Sequence, residues 1–435
     1  MKTKRLKDKV LVAWNTKQET LIKRYVDLLS RILKVNSKGN VETSEIAKLE
    51  VYLKILAQNI TIQEISDLET KRQLIFRATF TRFGKYKSKD IHTFRKALAA
   101  ETNQYLARPV QKFKILFPLN VRPGEFDKFH SFSILNKKLL VRNWNYVQKH
   151  FEYSTLMTEV KRHSPSYNTS LTSYFVPILI TTEAQDYQQA FNKASRAFDL
   201  FRSLLNLQLK FGTSTMQFGG YPKPLGKIFP PPIYGIFDEH GKYVRFYYNT
   251  VRDYQYMHNS IPDDRIVQVR KLASKILVPK SDDDTVSLNI EVLEKYGEAL
   301  DTSEWRLSFL VLWQILELIA LQSNEELSMK NVVNRINIIF GQNQLIRDLL
   351  SALYQTRNLL VHKGHFPSEQ GLREVNLLRY IVEPCMNFIL SKTKYLPTKN
   401  SLNKYYEHAA SNNADLAERE RIISLIKKSR ARKKK

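Results

Sequence analysis

The chain is poor in cysteine, which limits the chemistry available to it. Cys385 is the only cysteine among 435 residues, so an internal disulfide and a zinc site built of several thiolates are both excluded. It lies in an apolar helical run, which predicts a core position. A chain that needs no disulfide fits a reducing compartment, and we expect a cytoplasmic protein.

Long apolar runs are also scarce. The longest apolar stretch, residues 309–321, is interrupted by Gln314 and Glu317, and at that length it predicts a buried core helix rather than a membrane span. The first residues, MKTKRLKDKVLVAW, lack the apolar core of a signal peptide. We therefore expect no membrane association.

Acidic residues are few beside basic ones. Lys and Arg number 69 against 42 Asp and Glu, which gives a formal net charge of +27. Such a charge predicts a polyanionic partner, with nucleic acid first and an anionic membrane surface second. No G-x-x-x-x-G-K-[ST] loop occurs, which argues against a P-loop ATPase, and the nine histidines lack metal-ligand spacing. We expect neither a metal nor a cofactor.

Hydrophobic periodicity predicts an α+β multidomain chain in four parts. Residues 1–105 read as a helical N-terminal region, and 106–285 as an α+β sensing or regulatory domain. Residues 286–395 read as a helical bundle, and 396–435 as a basic C-terminal tail. An acidic loop at residues 281–284 is the predicted boundary before the bundle.

The central part is predicted from runs of aromatic and β-branched residues and from one hairpin signal. Strands are predicted at 111–120, 129–141 and 174–181, followed by an amphipathic helix at 183–209. A hairpin is predicted at 234–249, turning at Glu239-His240-Gly241. In the C-terminal part, helices are predicted at 302–322 (capped by Thr302 or Ser303), 331–340, 344–363 and 372–390.

The helix predicted at 344–363 carries a polar stripe that ends in a histidine. Asn358 and His362 are four residues apart and are neighbours on the stripe, while Arg357 lies about 100° round the helix from Asn358. Gly364 is placed to end the helix. The core-facing side is predicted to consist of Leu345, Leu349, Ala352, Leu353, Thr356 and Leu360.

Arg357, Asn358 and, after three further residues, His362 at the end of a helix resemble the motif of the HEPN superfamily. The upstream segment FLVLWQILELIALQ, residues 309–322, is similar to the first helix of the Apea-like branch, in which a Trp and a Leu-Glu pair precede the motif. The resemblance covers residues 300–392, and 176–208 look like the strand and helix that often precede such a domain. A second match, at Arg252 and His258, has no helical period around it and is discarded.

The resemblance implies a four-helix bundle and metal-independent RNA cleavage, in which the ribose 2′-hydroxyl attacks the adjacent phosphate. His362 would move protons, Arg357 would stabilise the phosphorane, and Asn358 would orient His362 or hold the phosphate. Glu317 and Lys363 are supporting candidates; Glu317 either pairs with Arg357 or His362, or is an ordinary helix-surface or interface glutamate. The products would be a 2′,3′-cyclic phosphate and a 5′-hydroxyl. HEPN domains usually form homodimers whose motif helices share one cleft.

Family analogy further implies a toxin-like effector of antiphage or abortive-infection defence, acting on RNA such as tRNA. Residues 1–285 would then sense a trigger of phage or nucleic-acid origin, or restrain the nuclease. Two alternatives stay open: a non-catalytic HEPN-fold module for RNA binding or dimerisation, and a DNA-binding regulator that uses the N-terminal helices.

Overall fold

The computed structural model describes most of the chain: residues 12–14, 16–62, 65, 68–122, 124, 126, 129–163, 171, 175–209, 224–249, 260–274, 284–321, 328–364, 371–411 and 413–432. The discarded match at Arg252 and His258 and the acidic residues 281–283 lie outside the described residues. The chain divides into two compact units, Met1–Phe113 with Thr182–Lys193, and Lys114–Thr181 with Ala194–Lys435. The four-part division by sequence remains a prediction.

The first unit is mainly helical, as predicted for residues 1–105. Its elements are β1 Val12–Ala13, α1 Thr16–Ile32, β2 Lys34–Val35, β3 Val41–Glu42, α2 Ile46–Asn59, β4 Thr61–Ile62, α3 Leu68–Thr81, a 3₁₀ turn at Phe83–Lys85 and α4 Ile91–Leu106. Two short antiparallel strand pairs, β1 with β4 and β2 with β3, are additions to the sequence prediction. Asp90 caps α4 by accepting the N–H groups of His92 and Thr93, and Leu29, Leu56 and Phe94 lie in the core.

The second unit contains most of a six-stranded sheet of order β10-β9-β5-β8-β7-β6. The strands are β5 Gln111–Leu119, β6 Ser131–Ile134, β7 Lys137–Val141, β8 Val176–Ala184, β9 Ile233–Asp238 and β10 Tyr243–Tyr248. The fold is therefore mixed α+β, as predicted. The single strand predicted at 129–141 is instead a hairpin, because Leu135 and Asn136 both adopt positive φ and reverse the chain.

Helices cover both faces of this sheet. The helices α5 Trp144–His150 and α6 Tyr153–His163 pack on the face that carries Leu116. Helix α7 Tyr187–Gln208 packs on the opposite face, where Phe198 stacks on Phe117 at 4.5 Å between ring centroids. The two faces differ because consecutive strand residues, here 116 and 117, point to opposite sides.

The remainder of the second unit is helical. Its helices are α8 Asp263–Ala273, α9 Asp284–Asp301, α10 Trp305–Ala320, α11 Met329–Ile339, α12 Gln344–Lys363, α13 Gly371–Lys392, α14 Lys399–Ala409 and α15 Asn413–Arg432. Helices α10 to α13 match the four predicted helices. The predicted caps are wrong, since α10 follows Glu304, which makes no side-chain capping bond. None of the helices in the described part of the chain is long and apolar enough to cross a membrane.

The segment predicted as a basic tail begins with a packed helix. In α14, Leu402 and Tyr406 are buried, and the Tyr406 hydroxyl donates to the Ile319 carbonyl at 3.3 Å. In the loop before α14, the Leu396 carbonyl accepts from the Thr285 hydroxyl and the Pro397 carbonyl accepts from the Thr285 N–H. Residues 396–409 therefore pack against the helices that precede them.

A buried ion pair joins the sheet-covering helix to the C-terminal helices. The guanidinium of Arg202 on α7 pairs with Asp301 of α9 at 2.8 Å and also with Asp199. Nearby, a Cβ at Gly297 would lie 2.6 Å from the Ser203 hydroxyl, so α7 and α9 pack closely there. These contacts cross the boundary predicted at residue 285.

Candidate functional site

The motif helix α12 begins and ends where the sequence predicts. Asn343 caps it by accepting the N–H of Leu345 at 2.9 Å, and Gly364 ends it in the left-handed conformation with φ 72°. The Gly364 N–H then donates to the Leu360 carbonyl at 3.0 Å. His362 therefore lies in the last turn of α12.

The buried side of α12 differs from the predicted one. Leu345 is 74% exposed and Ala352 is exposed, although both were predicted to face the core. Two pairs of adjacent residues, 345–346 and 349–350, are apolar, so the hydrophobic periodicity fits two helix faces about 100° apart. Packing in the folded chain buries the face with Ile346 and Leu350. The buried residues are Ile346, Leu350, Leu353 and Leu360.

Glu317 on α10 pairs with the motif arginine. Its Oε1 lies 3.7 Å from Nη2 of Arg357, with 17% of the Glu317 side chain and 27% of the Arg357 side chain exposed. The same oxygen accepts the indole N–H of Trp313 at 2.9 Å. Of the two partners predicted for Glu317, the structure therefore shows Arg357.

Burial raises the pKa of Glu317 above its ordinary value, and the opposing effects of Arg357 and of the Trp313 hydrogen bond are smaller. Glu317 therefore binds a proton more readily than an exposed glutamate. Its protonation would remove the negative charge that faces Arg357.

Asn358 contacts the arginine rather than the histidine. Its Oδ1 accepts a hydrogen bond from Nη1 of Arg357 at 3.4 Å. Within the described residues no hydrogen bond joins Asn358 to His362, so the predicted orienting contact is not formed in the single chain. The His362 side chain is exposed.

Sequence reasoning missed a further cation at this helix end. Arg306, in the first turn of α10, donates to the carbonyl of Gly364 and to the carboxylate of Glu304. The antiparallel pairing of α10 with α12 brings these residues together, although they lie 58 positions apart in the chain. An arginine at the start of one helix carries no sequence signal for this contact.

Cations therefore gather where the helix dipole of α12 is negative. Arg306 and Lys363 are exposed there, and Arg357 lies less than two turns earlier. Such an arrangement offsets the unfavourable dipole for a bound phosphate. No cluster of three or more His, Cys, Asp and Glu side chains suited to a metal ion occurs in the described ranges.

The chemical capacity of the site thus consists of one exposed imidazole, one ammonium group and two guanidinium groups, each of which is paired with a carboxylate, Arg357 with Glu317 and Arg306 with Glu304. An imidazole can exchange protons near neutral pH, and a guanidinium can hold a phosphate through two hydrogen bonds. Comparison with known proteins adds nothing to this, because no protein-family model, no curated protein and no solved structure matches the chain.

Proposed function

We propose that the chain is a metal-independent RNA endonuclease of the HEPN type, with its site at the C-terminal end of α12. The observation that carries the proposal is an exposed imidazole, His362, in the last turn of a helix whose end also gathers Arg357 and Arg306. A proton-transfer group and cations at one helix end are what internal transesterification of RNA requires.

The reaction proceeds by attack of the 2′-hydroxyl oxygen on the adjacent phosphorus. His362 takes the 2′-hydroxyl proton as the new O–P bond forms, and Arg357 stabilises the charge of the phosphorane. The bond from phosphorus to the 5′-oxygen then breaks, and that oxygen receives a proton from a second, protonated imidazole. The products are a 2′,3′-cyclic phosphate and a 5′-hydroxyl.

The second imidazole is that of a second copy of the chain in a homodimer. Helix α12 leaves Leu345, Ala352 and Leu359 exposed at seven-residue spacing, the spacing at which helices pair. His362 follows Leu359 by three residues and so lies beside this stripe. Parallel pairing along the stripe would bring both motifs into one cleft.

The wider role proposed is that of a toxin-like effector in antiphage or abortive-infection defence, acting on RNA such as tRNA. This role depends on the HEPN resemblance alone. A trigger of phage or nucleic-acid origin would act through the residues that precede the bundle.

The second candidate is a non-catalytic HEPN-fold module that binds RNA. It is favoured by the ion pair between Arg357 and Glu317, because this pair occupies the cation that catalysis needs. In that case RNA binding persists and no cleavage occurs.

Cleavage of purified RNA by three proteins separates the two candidates. We expect the wild type to produce 2′,3′-cyclic phosphate ends, and His362→Ala to lower the rate by about 100-fold or more, the usual effect of removing a general base. His92→Ala, which replaces an exposed histidine of α4, should leave the rate unchanged. A wild type that binds RNA without cutting it, or a His362→Ala protein that cuts as fast as wild type, would overturn the nuclease proposal.

A further inference from the structure

Two loops of the first unit, far apart in sequence, pack into one surface. They are the β2–β3 hairpin, residues 34–42, and the segment after α3, residues 83–89. A Cβ at Gly84 would lie 2.6 Å from a methyl carbon of Val41, so the 3₁₀ turn is pressed directly against the hairpin. The Lys89 ammonium donates to the carbonyl of Leu33 at 3.3 Å, immediately before β2. The two loops are therefore fixed to each other.

The hairpin is itself well ordered by its turn. The Asn36 side-chain oxygen accepts the N–H of Lys38 at 3.0 Å and that of Asn40 at 2.9 Å. Gly39 supplies the left-handed residue, with φ 75°. Side chains on this turn are thus held at set positions instead of moving with a loose loop.

Five lysines lie on these two loops, and we call them the lysine surface. Four are exposed and the fifth, Lys89, is half-buried. Within the described residues none of the five forms an ion pair with a carboxylate, as Lys48 and Arg72 do. The members of the lysine surface are Lys34, Lys38, Lys85, Lys87 and Lys89.

The two carboxylates in these loops already have other partners. Glu42 accepts from the Asn36 side chain. Asp90, which follows the second loop, accepts from the Ser88 hydroxyl and from the N–H groups of Thr93 and His92, and these bonds lower its pKa to about 2. These partners are neutral and do not cancel the charge of a carboxylate, so the five lysines against Glu42 and Asp90 leave a formal charge of 5 − 2 = +3 for a ligand.

We propose that the lysine surface is a binding site for the phosphate backbone of RNA, separate from the cleavage site. Lysines act as point charges toward phosphates and do not read bases, so the binding is independent of sequence. An anionic membrane is the less favoured partner, because Val35, 50% exposed, is the only large apolar residue exposed on the two loops. The site does not require cleavage activity.

The salt dependence of RNA binding tests this proposal. The test protein carries Lys38→Glu, Lys85→Glu and Lys87→Glu, and a matched control carries Lys17→Glu, Lys54→Glu and Lys96→Glu, which alter the net charge equally on three helices. Both carry His362→Ala, so that RNA stays intact. The probes are a single strand and a duplex of RNA, each about 20 nucleotides long, titrated at several salt concentrations.

We expect the test protein to bind RNA at least about tenfold more weakly at low salt, and the slope of log affinity against log salt to become shallower by about 2 to 3. The control should keep most of its slope. A triple Lys→Gln protein at the same three positions should give the same direction of change, and circular dichroism should show all proteins folded.

Equal slopes in the test and control proteins would overturn the proposal. It would also be overturned if RNA binding were unchanged while binding to phosphatidylserine vesicles was lost, since the surface would then serve a membrane. Because binding is measured in proteins that lack His362, failure of the proposed nuclease activity in the wild type leaves this result unaffected.

Discussion

Glu317 determines whether the positive charge of Arg357 is compensated within the chain. One of its oxygens serves both the Trp313 indole and the Arg357 guanidinium, which also donates to Asn358. An ionised Glu317 therefore neutralises the cation that the proposed reaction needs. A protonated Glu317, or an RNA phosphate that competes with it, would release Arg357 for the substrate.

Replacing Glu317 by Gln should change how stability depends on pH. Burial raises the pKa of Glu317 in the folded chain above the ordinary value of 4.5, so folding favours its protonated form. The stability that this protonation contributes is fully present below the unfolded pKa and is lost as pH rises through the folded pKa. Relative to Glu317→Gln, the wild type should therefore have its highest Tm in acid and a falling Tm toward neutral pH.

Paired melting curves between about pH 4 and about pH 7 measure this difference. The matched control is Glu291→Gln, at an exposed position on α9. A Tm difference between wild type and Glu317→Gln that stays constant across that range would contradict the expected shift.

Features of the candidate site that depend on neighbouring residues in the sequence could be predicted. Contacts that depend on how helices pack against each other could not. Gly364 and the polar stripe predicted the end of α12, and the burial of a carboxylate predicted a partner for Glu317 without choosing between Arg357 and His362. Arg306 could not be found, because its contact with Gly364 depends on how α10 lies against α12. The contact of Asn358 with Arg357 was not predicted for a similar reason, since helical spacing allows both Arg357 and His362 to reach the amide.

Helix α12 has a buried face and an exposed face, and two leucines distinguish them. Leu350 is fully buried, so Leu350→Ala should lower the free energy of unfolding by about 3 kcal/mol, through lost burial and a cavity. Leu345 is largely exposed, and Leu345→Ala should change it by less than about 0.5 kcal/mol.

Urea unfolding of the two variants measures both values, and sedimentation of the Leu345→Ala protein adds a second readout. If the exposed stripe pairs two copies, this protein should form a weaker dimer although its fold is intact. Equal destabilisation by the two substitutions would instead show that Leu345 is as buried as Leu350 and would contradict the two faces.

Among whole elements, those marked in the sequence by a turn residue or by hydrophobic periodicity could be predicted. The β9–β10 hairpin was found because Gly241 supplies the positive φ that its turn needs. The β6–β7 hairpin was missed because Leu135 and Asn136 take that conformation without a glycine. Helices α5 and α6 are short, and their burial against the sheet, at Val147 and Leu156, is a tertiary effect that no local pattern records.

Two truncations should separate the packed part of the C-terminal segment from the exposed part. Ending the chain after residue 411 removes α15, whose described side chains are exposed, and should leave the Tm unchanged. Ending it after residue 395 also removes Leu402 and Tyr406 from the core, and should lower the Tm by at least about 5 °C. Differential scanning calorimetry of the three chains measures this, and equal Tm values would show that α14 adds no stability.

The ion pair between Arg202 and Asp301 limits how the C-terminal bundle can be moved between proteins. A fragment that began at residue 286 would retain Asp301 without Arg202 and would uncover the backbone at Gly297 that Ser203 now contacts. Such a fragment would also lose the close packing of α7 against α9 at Gly297. A gene fusion that joins these C-terminal helices to another domain should therefore bring α7 with it, and we expect recombination to keep α7 and these helices together.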